Sequence, residues 1–124
     1  MASYFEDVKE FHKMFHEAGG SPRVPDTETW ARRIRLILEE LSETATAYAI
    51  GDLVEYADGL ADLTWVVLGT AVESGLPFDE IWEEIKKSNM AKRGAGVDSN
   101  GKLMKPVGWV PPNLKPILEK AMLE

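Results

Sequence analysis

Residues 37–69 decide the fold: "ILEELSETATAYAIGDLVEYADGLADLTWVVLG". Leu38, Leu41 and Ala45 recur at three- and four-residue spacing, the period of an amphipathic helix. Gly51 and Asp52 interrupt the pattern, and a second apolar run follows from Leu53. Glycine ends helices and Asp begins them, so the stretch reads as two antiparallel helices joined by a short turn.

Working outward, the second helix spans about Glu28 to Ile50, with Asp26 or Thr27 as its cap. The third spans about Leu53 to Ser74, with Gly75 as C-cap and Pro77 as stop. Upstream, Phe5, Val8, Phe11, His12 and Phe15 mark a first helix over 3–18, ended by "GGSPRVP" at 19–25. Downstream, "DEIWEEIKKSNMAKR" is a fourth helix from Asp79 to about Arg93. Residues 94–124 form a loop-rich tail, helical only from about Leu114. No strand alternation or internal repeat appears. The expectation is all-α: one domain over 1–124, four-helix-bundle-like, with a loop-rich C-terminal tail.

Bulk properties narrow the function. The chain has 124 residues, 44% hydrophobic and 28% charged, as soluble domains do. No apolar run reaches the roughly 20 residues that span a bilayer. "MASYFEDVKEFHKMF" lacks a signal-peptide core, which points to a cytoplasmic protein. A net charge of −7 argues against nucleic acid or an anionic membrane as partner. There is no cysteine and there are two histidines, so a metal site would be built from oxygen donors. Such donors suit Mg²⁺ or Mn²⁺.

The carboxylates are the candidate donors. At 100° per residue, Ile34, Ile37, Leu38, Leu41 and Ala45 form the expected core stripe of the second helix, with Glu39, Glu40 and Glu43 opposite. Two readings stand for these glutamates: a solvated face, or a ligand set. On the third helix, Asp58 and Asp62 are one turn apart and Glu55 lies one turn earlier. Asp62 directly precedes "LTWVVLGTAV", apolar on all sides and therefore expected to be buried. Carboxylates entering a desolvated region need protons, basic partners or a metal. Two acidic clusters facing each other across antiparallel helices would supply four or five oxygens.

"EELSE" (39–43) matches an EExxE pattern, and "DGLAD" (58–62) occupies the place of a second acidic motif, usually ExxD. Together with "SNMAK" (88–92) and "GKLMKPVGWVPP" (101–112), these segments resemble the all-α nucleoside triphosphate pyrophosphohydrolases. That group includes MazG, the dimeric dUTPases and phosphoribosyl-ATP pyrophosphohydrolase. The resemblance covers about residues 5–118. It implies Mg²⁺-dependent cleavage of a nucleoside triphosphate between the α and β phosphates, giving a monophosphate and pyrophosphate. It further implies metal binding by Glu40, Glu43 and Asp62, with Glu39 orienting the attacking water or sharing a metal. Where ExxD would place Glu, this chain has Gly59; Asp58 is the nearest replacement, and Glu55 with Asp58 forms an ExxD one turn earlier. Asn89, Lys92 and Lys105 are implied substrate contacts.

Other residues have plainer readings. Lys87, Lys92 and Arg93 also suit a helix C-terminus. His12, with His16 one turn on, is a candidate base contact or a packing residue. Trp30, Trp65 and Trp82 read as packing residues. Trp109, stiffened by Pro111 and Pro112, closes over a ligand or anchors the tail on a neighbouring subunit, the second being favoured. Four helices in one layer would leave the all-apolar third helix uncovered, so a homo-oligomer is expected, most simply a two-fold dimer. The rival functions are a phosphoribosyl-ATP pyrophosphohydrolase and a non-enzymatic helical interaction domain.

Overall fold

Asp26 starts the longest helix by accepting a 2.7 Å hydrogen bond from the Thr29 backbone N–H at its Oδ1. That bond also holds the Asp26 carboxyl below the ordinary carboxylate range. The computed structural model describes residues 1–15 and 19–124 and places five helices among them. These are α1 (Tyr4–Phe15), α2 (Thr27–Ile50), α3 (Leu53–Glu73), α4 (Phe78–Met90) and α5 (Lys115–Leu123). The described residues contain no strand, only an isolated antiparallel bridge between Val97 and Leu103. The chain is all-α, as its periodicity implies. Residues 16–18, which include His16, lie outside the described residues.

The turn between α2 and α3 follows from two residues. Gly51 takes a left-handed conformation (φ +74°), which costs glycine little, and its N–H bonds back to α2 carbonyls. Asp52 then caps α3, its Oδ1 accepting from the Glu55 N–H at 3.1 Å. Reversal within two residues sets α2 and α3 side by side, and they form the main helix contact.

The chain forms two compact units, Met1–Leu76 and Pro77–Glu124. In the first, α1 packs on α3, burying Phe5, Val8 and His12 on one side of α1 and Ala71 and Val72 on α3. Phe11 meets Trp65 edge-on at 5.3 Å between ring centroids. The segment before α2 is stapled to the end of α3: Arg23 donates to the Glu73 carbonyl at 2.9 Å, and its backbone N–H to Ser74.

The seam between α2 and α3 differs from the expected stripe. Arg33, Thr44 and Ala47 are buried on α2, with Glu40 half-buried at the same spacing. Leu38 and Leu41, expected in the core, are 55% and 50% exposed. The physical reason is local. The helices approach where their residues are small, Thr44 against the buried Gly59, and this close contact turns the larger apolar stripe outward. The third helix shows the same effect, since Leu60, Trp65 and Val67 remain 40–43% exposed.

In the second unit, α4 ends at Met90, short of the expected Arg93. Residues 91–93 continue as turns in which the Lys92 N–H bonds to the Asn89 carbonyl at 3.1 Å. This tightening leaves the Ser88 carbonyl, in the last turn of α4, to another donor. The Trp109 indole N–H fills that place at 2.8 Å. Trp109 thus anchors the tail on α4 of its own chain, where a neighbouring subunit was the expected anchor. Trp82 and Trp30, read as packing residues, are 59% and 46% exposed.

Candidate functional site

The hairpin brings the acidic clusters together. The Glu40 carboxyl is pushed above its ordinary value first by burial, then by Glu43, Asp62, Asp58 and Glu39. The Asp62 residue stays exposed, and its carboxyl is raised by partial desolvation, by repulsion from Asp58 and by a hydrogen bond shared with Asp58. A carboxylate responds to a neighbour in this way only when the charges are close. The other four acids expected at the site, Glu39 and Glu43 of α2 and Asp58 and Asp62 of α3, therefore all stand near enough to Glu40 to act on it. Glu55 sits in the first turn of α3 and contributes to neither shift.

Glu40 is the centre of the cluster. It lies on the seam, half-buried, and its Oε2 is buried without a hydrogen-bond partner among the described residues. A buried carboxylate oxygen with no donor is costly, and here no lysine or arginine supplies one. The donor chemistry fits a hard divalent cation: carboxylate oxygens from two helices, one of them orphaned. With the side chains as they stand, no three acidic or histidine donors among the described residues converge as a coordination shell.

These shifts have a sign that a melting experiment reads. A carboxyl raised in the folded chain holds its proton more tightly there than when unfolded. Stability is therefore lost as pH rises from the ordinary values, 3.8 for Asp and 4.5 for Glu, through the folded values. The melting temperature of metal-free Glu40→Gln should exceed that of wild type by an amount that grows across this window. Equal pH slopes for the two proteins would contradict the mutual repulsion.

Beyond the carboxylates, the hairpin holds features that sequence reasoning missed. Arg33 is buried on the seam, donating to the Val66 carbonyl at 2.8 Å and to Thr70 Oγ1 at 3.1 Å. Its Nη1 stands 3.0 Å from Glu73 Oε2 as an ion pair, while Arg32 holds Glu73 Oε1. Burial lowers the Arg33 pKa and Glu73 opposes that shift. The spacing 33–37–40–44–47 is a helical stripe, but its mix of Arg, Ile, Glu, Thr and Ala hides it from an apolar search. Gly59 was visible only as a departure from ExxD. The structure gives its reason, since a Cβ there would lie 3.1 Å from both Thr44 Cα and Thr44 Cβ. Any side chain at this position would have to displace Thr44.

The remaining candidates are placed as follows. His12 is 5% exposed, with its Nε2 against Gly69 of α3, so it sits in the α1–α3 packing and not on an open wall. In the second unit, Asn89, Lys92 and Lys105 form one group. Lys92 Nζ donates to Asn89 Oδ1 at 3.0 Å. Lys92 and Lys105 both stand over the Trp109 ring, at 5.3 and 5.0 Å from its centroid.

Comparison with known families gives one finding. The family profile described as phosphoribosyl-ATP pyrophosphohydrolase matches residues 8–89, more than half of the chain. That span contains α2, α3, both acidic clusters and Asn89. No curated protein matches the chain. No helix among the described residues is long and apolar enough to cross a membrane.

Proposed function

The chain belongs to the phosphoribosyl-ATP pyrophosphohydrolase family, within the MazG-like all-α pyrophosphohydrolases, and from that premise we propose a Mg²⁺-dependent nucleoside triphosphate pyrophosphohydrolase of the nucleotide pool. The observation that carries the proposal is that Glu39, Glu43, Asp58 and Asp62 all act on Glu40, one of whose oxygens is orphaned. In this reading Glu40, Glu43, Asp58 and Asp62 hold Mg²⁺, with Mn²⁺ as substitute. A bound divalent cation supplies charge neutralisation for the phosphates and polarises phosphorus. Glu39, exposed at the edge of the cluster, orients the attacking water and takes its proton. Water's oxygen bonds to one of the two phosphorus atoms of the α–β anhydride, that atom's bond to the bridging oxygen breaks, and the bridging oxygen leaves with the other fragment, giving nucleoside monophosphate and pyrophosphate. No covalent nucleophile is needed, since phosphoryl transfer depends mainly on positioning and charge stabilisation. Asn89, Lys92 and Lys105 are proposed as substrate contacts on the resemblance of their segments.

A second reading keeps the reaction and changes the substrate to phosphoribosyl-ATP; the description of the matching family favours it. Steady-state assays over the common and damaged (d)NTPs and phosphoribosyl-ATP separate the two. A kcat/KM for phosphoribosyl-ATP above that for every (d)NTP would reverse the order. No pyrophosphate from any of them would leave the helical interaction domain.

The oligomeric state belongs to the same proposal. Leu38, Leu41 and Tyr48 of α2 and Leu53, Leu60 and Val67 of α3 are 42–76% exposed. At 100° per residue they fall on the side of the hairpin away from Glu43 and Asp62, and no charged residue interrupts their stripe. Uncharged surface on this scale, in a chain that is 28% charged, suits a self-complementary two-fold interface with a second copy. Light scattering should show a dimer for wild type and a monomer for Leu38→Glu/Leu60→Glu, with helical content kept in both. A monomeric wild type at tens of micromolar would rule the interface out.

A further inference from the structure

We propose that Gly59 is a positioning residue of the carboxylate cluster: the side chain it lacks lets α3 lie close enough to α2 for Asp58 and Asp62 to share one field with Glu40 and Glu43. The inference rests on the cation-binding reading above. Glycine inside a helix carries an entropic cost, so its presence there calls for a packing reason. At Gly59 the reason is visible. A Cβ would press on Thr44 Oγ1 and lie 3.1 Å from the Thr44 Cα and Cβ. Rotation about the Thr44 Cα–Cβ bond can move Oγ1 but not Cβ, so while Thr44 keeps its side chain the helices would have to separate. Thr44 has no slack to offer, being buried with its hydroxyl donating to the Glu40 carbonyl at 2.7 Å.

The contact sits within the cluster on both helices. Gly59 adjoins Asp58 and precedes Asp62 by three residues. Thr44 adjoins Glu43 and follows Glu40 by four. A shift at this point therefore displaces one half of the acidic cluster against the other. The same contact accounts for the acidic pattern of α3. The position where ExxD would place its glutamate is taken up by the helix crossing, and Asp58 on the adjoining position supplies the carboxylate instead.

Gly69 provides the control. It is also buried on α3, and a Cβ there would meet Arg33 Nη2 and His12 Nε2 at 2.6 and 2.8 Å. It lies ten residues along the helix, roughly 15 Å from the cluster contact. Substitution at Gly69 strains the packing of the unit and leaves the acidic turns in place.

The test is equilibrium Mn²⁺ binding to the full chain, by calorimetry or electron paramagnetic resonance, beside melting curves of the metal-free proteins. Gly59→Ala should weaken Mn²⁺ binding by roughly tenfold or more, as loss of a group that orients metal ligands does. Gly69→Ala should lower the melting temperature and leave Mn²⁺ affinity within about twofold of wild type. Gly59→Ala/Thr44→Gly, which removes the obstructing side chain, should recover affinity to within about threefold, and it carries the test where Gly59→Ala alone does not fold. Wild-type affinity in Gly59→Ala, equal loss in Gly69→Ala, or a folded double variant without recovery would each overturn the inference. A wild-type protein that binds no Mn²⁺ removes the cation reading itself, a separate and distinguishable failure.

Discussion

Replacing Glu40 by Gln should abolish pyrophosphate release and stabilise the metal-free protein at the same time. The two effects have one origin. Glu40 is half-buried, surrounded by Glu43, Asp62, Asp58 and Glu39, and one of its oxygens has no hydrogen-bond partner among the described residues. Removing its charge relieves that repulsion, so the melting temperature at neutral pH should rise by a few degrees, on the order expected when a functional compromise is removed. A metal clamp on a reacting phosphate contributes several kcal/mol, so kcat should fall by about 10³-fold or more. Stability and activity moving in opposite directions distinguish a functional carboxylate from a structural one. A Glu40→Gln protein that keeps full activity would refute the metal assignment.

Arg33→Met should give the largest loss of stability in the first unit. The arginine is buried among the Val66 carbonyl, Thr70 and Glu73, and its removal leaves Glu73 with its exposed partner Arg32 alone. Breaking one side of a buried ion pair costs about 3 kcal/mol or more. For a chain of this size the melting temperature should fall by about 10–15 °C. Arg33→Met/Glu73→Leu should recover much of that loss, because a buried pair replaced by apolar groups of similar volume is often near neutral. Thermal melts read both variants, and a fall of less than 3 °C for Arg33→Met would show that the network is not what holds α2 on α3.

Much of this was legible in the sequence, for reasons that particular residues make clear. Gly51 and Asp52 act locally, one as a left-handed stop and one as a cap, so the hairpin could be read without its partners. The acidic turns were legible because carboxylate spacing on a helix translates directly into a shared face. The side of α2 that meets α3 was not. Apolar periodicity marks the stripe of Leu38, Leu41 and Ala45 as one that avoids water, but not against what. Within the chain the seam instead runs through Arg33, Glu40, Thr44 and Ala47, where small residues and a paired arginine permit close approach. A buried arginine and a glycine crossing depend on what stands opposite, which spacing along one helix does not contain. Trp109 shows the same limit: its need for a hydrogen-bond acceptor was predictable, but the Ser88 carbonyl became available only because α4 ends early.

The most direct test of the account is ³¹P NMR of a (d)NTP incubated with the wild-type protein at millimolar Mg²⁺, read for products. The α–β cleavage proposed for the Glu39–Glu43 and Asp58–Asp62 cluster predicts nucleoside monophosphate and pyrophosphate appearing together in equal amounts, with neither formed by Glu40→Gln. Release of nucleoside diphosphate with inorganic phosphate, or the same products at undiminished rate from Glu40→Gln, would contradict it.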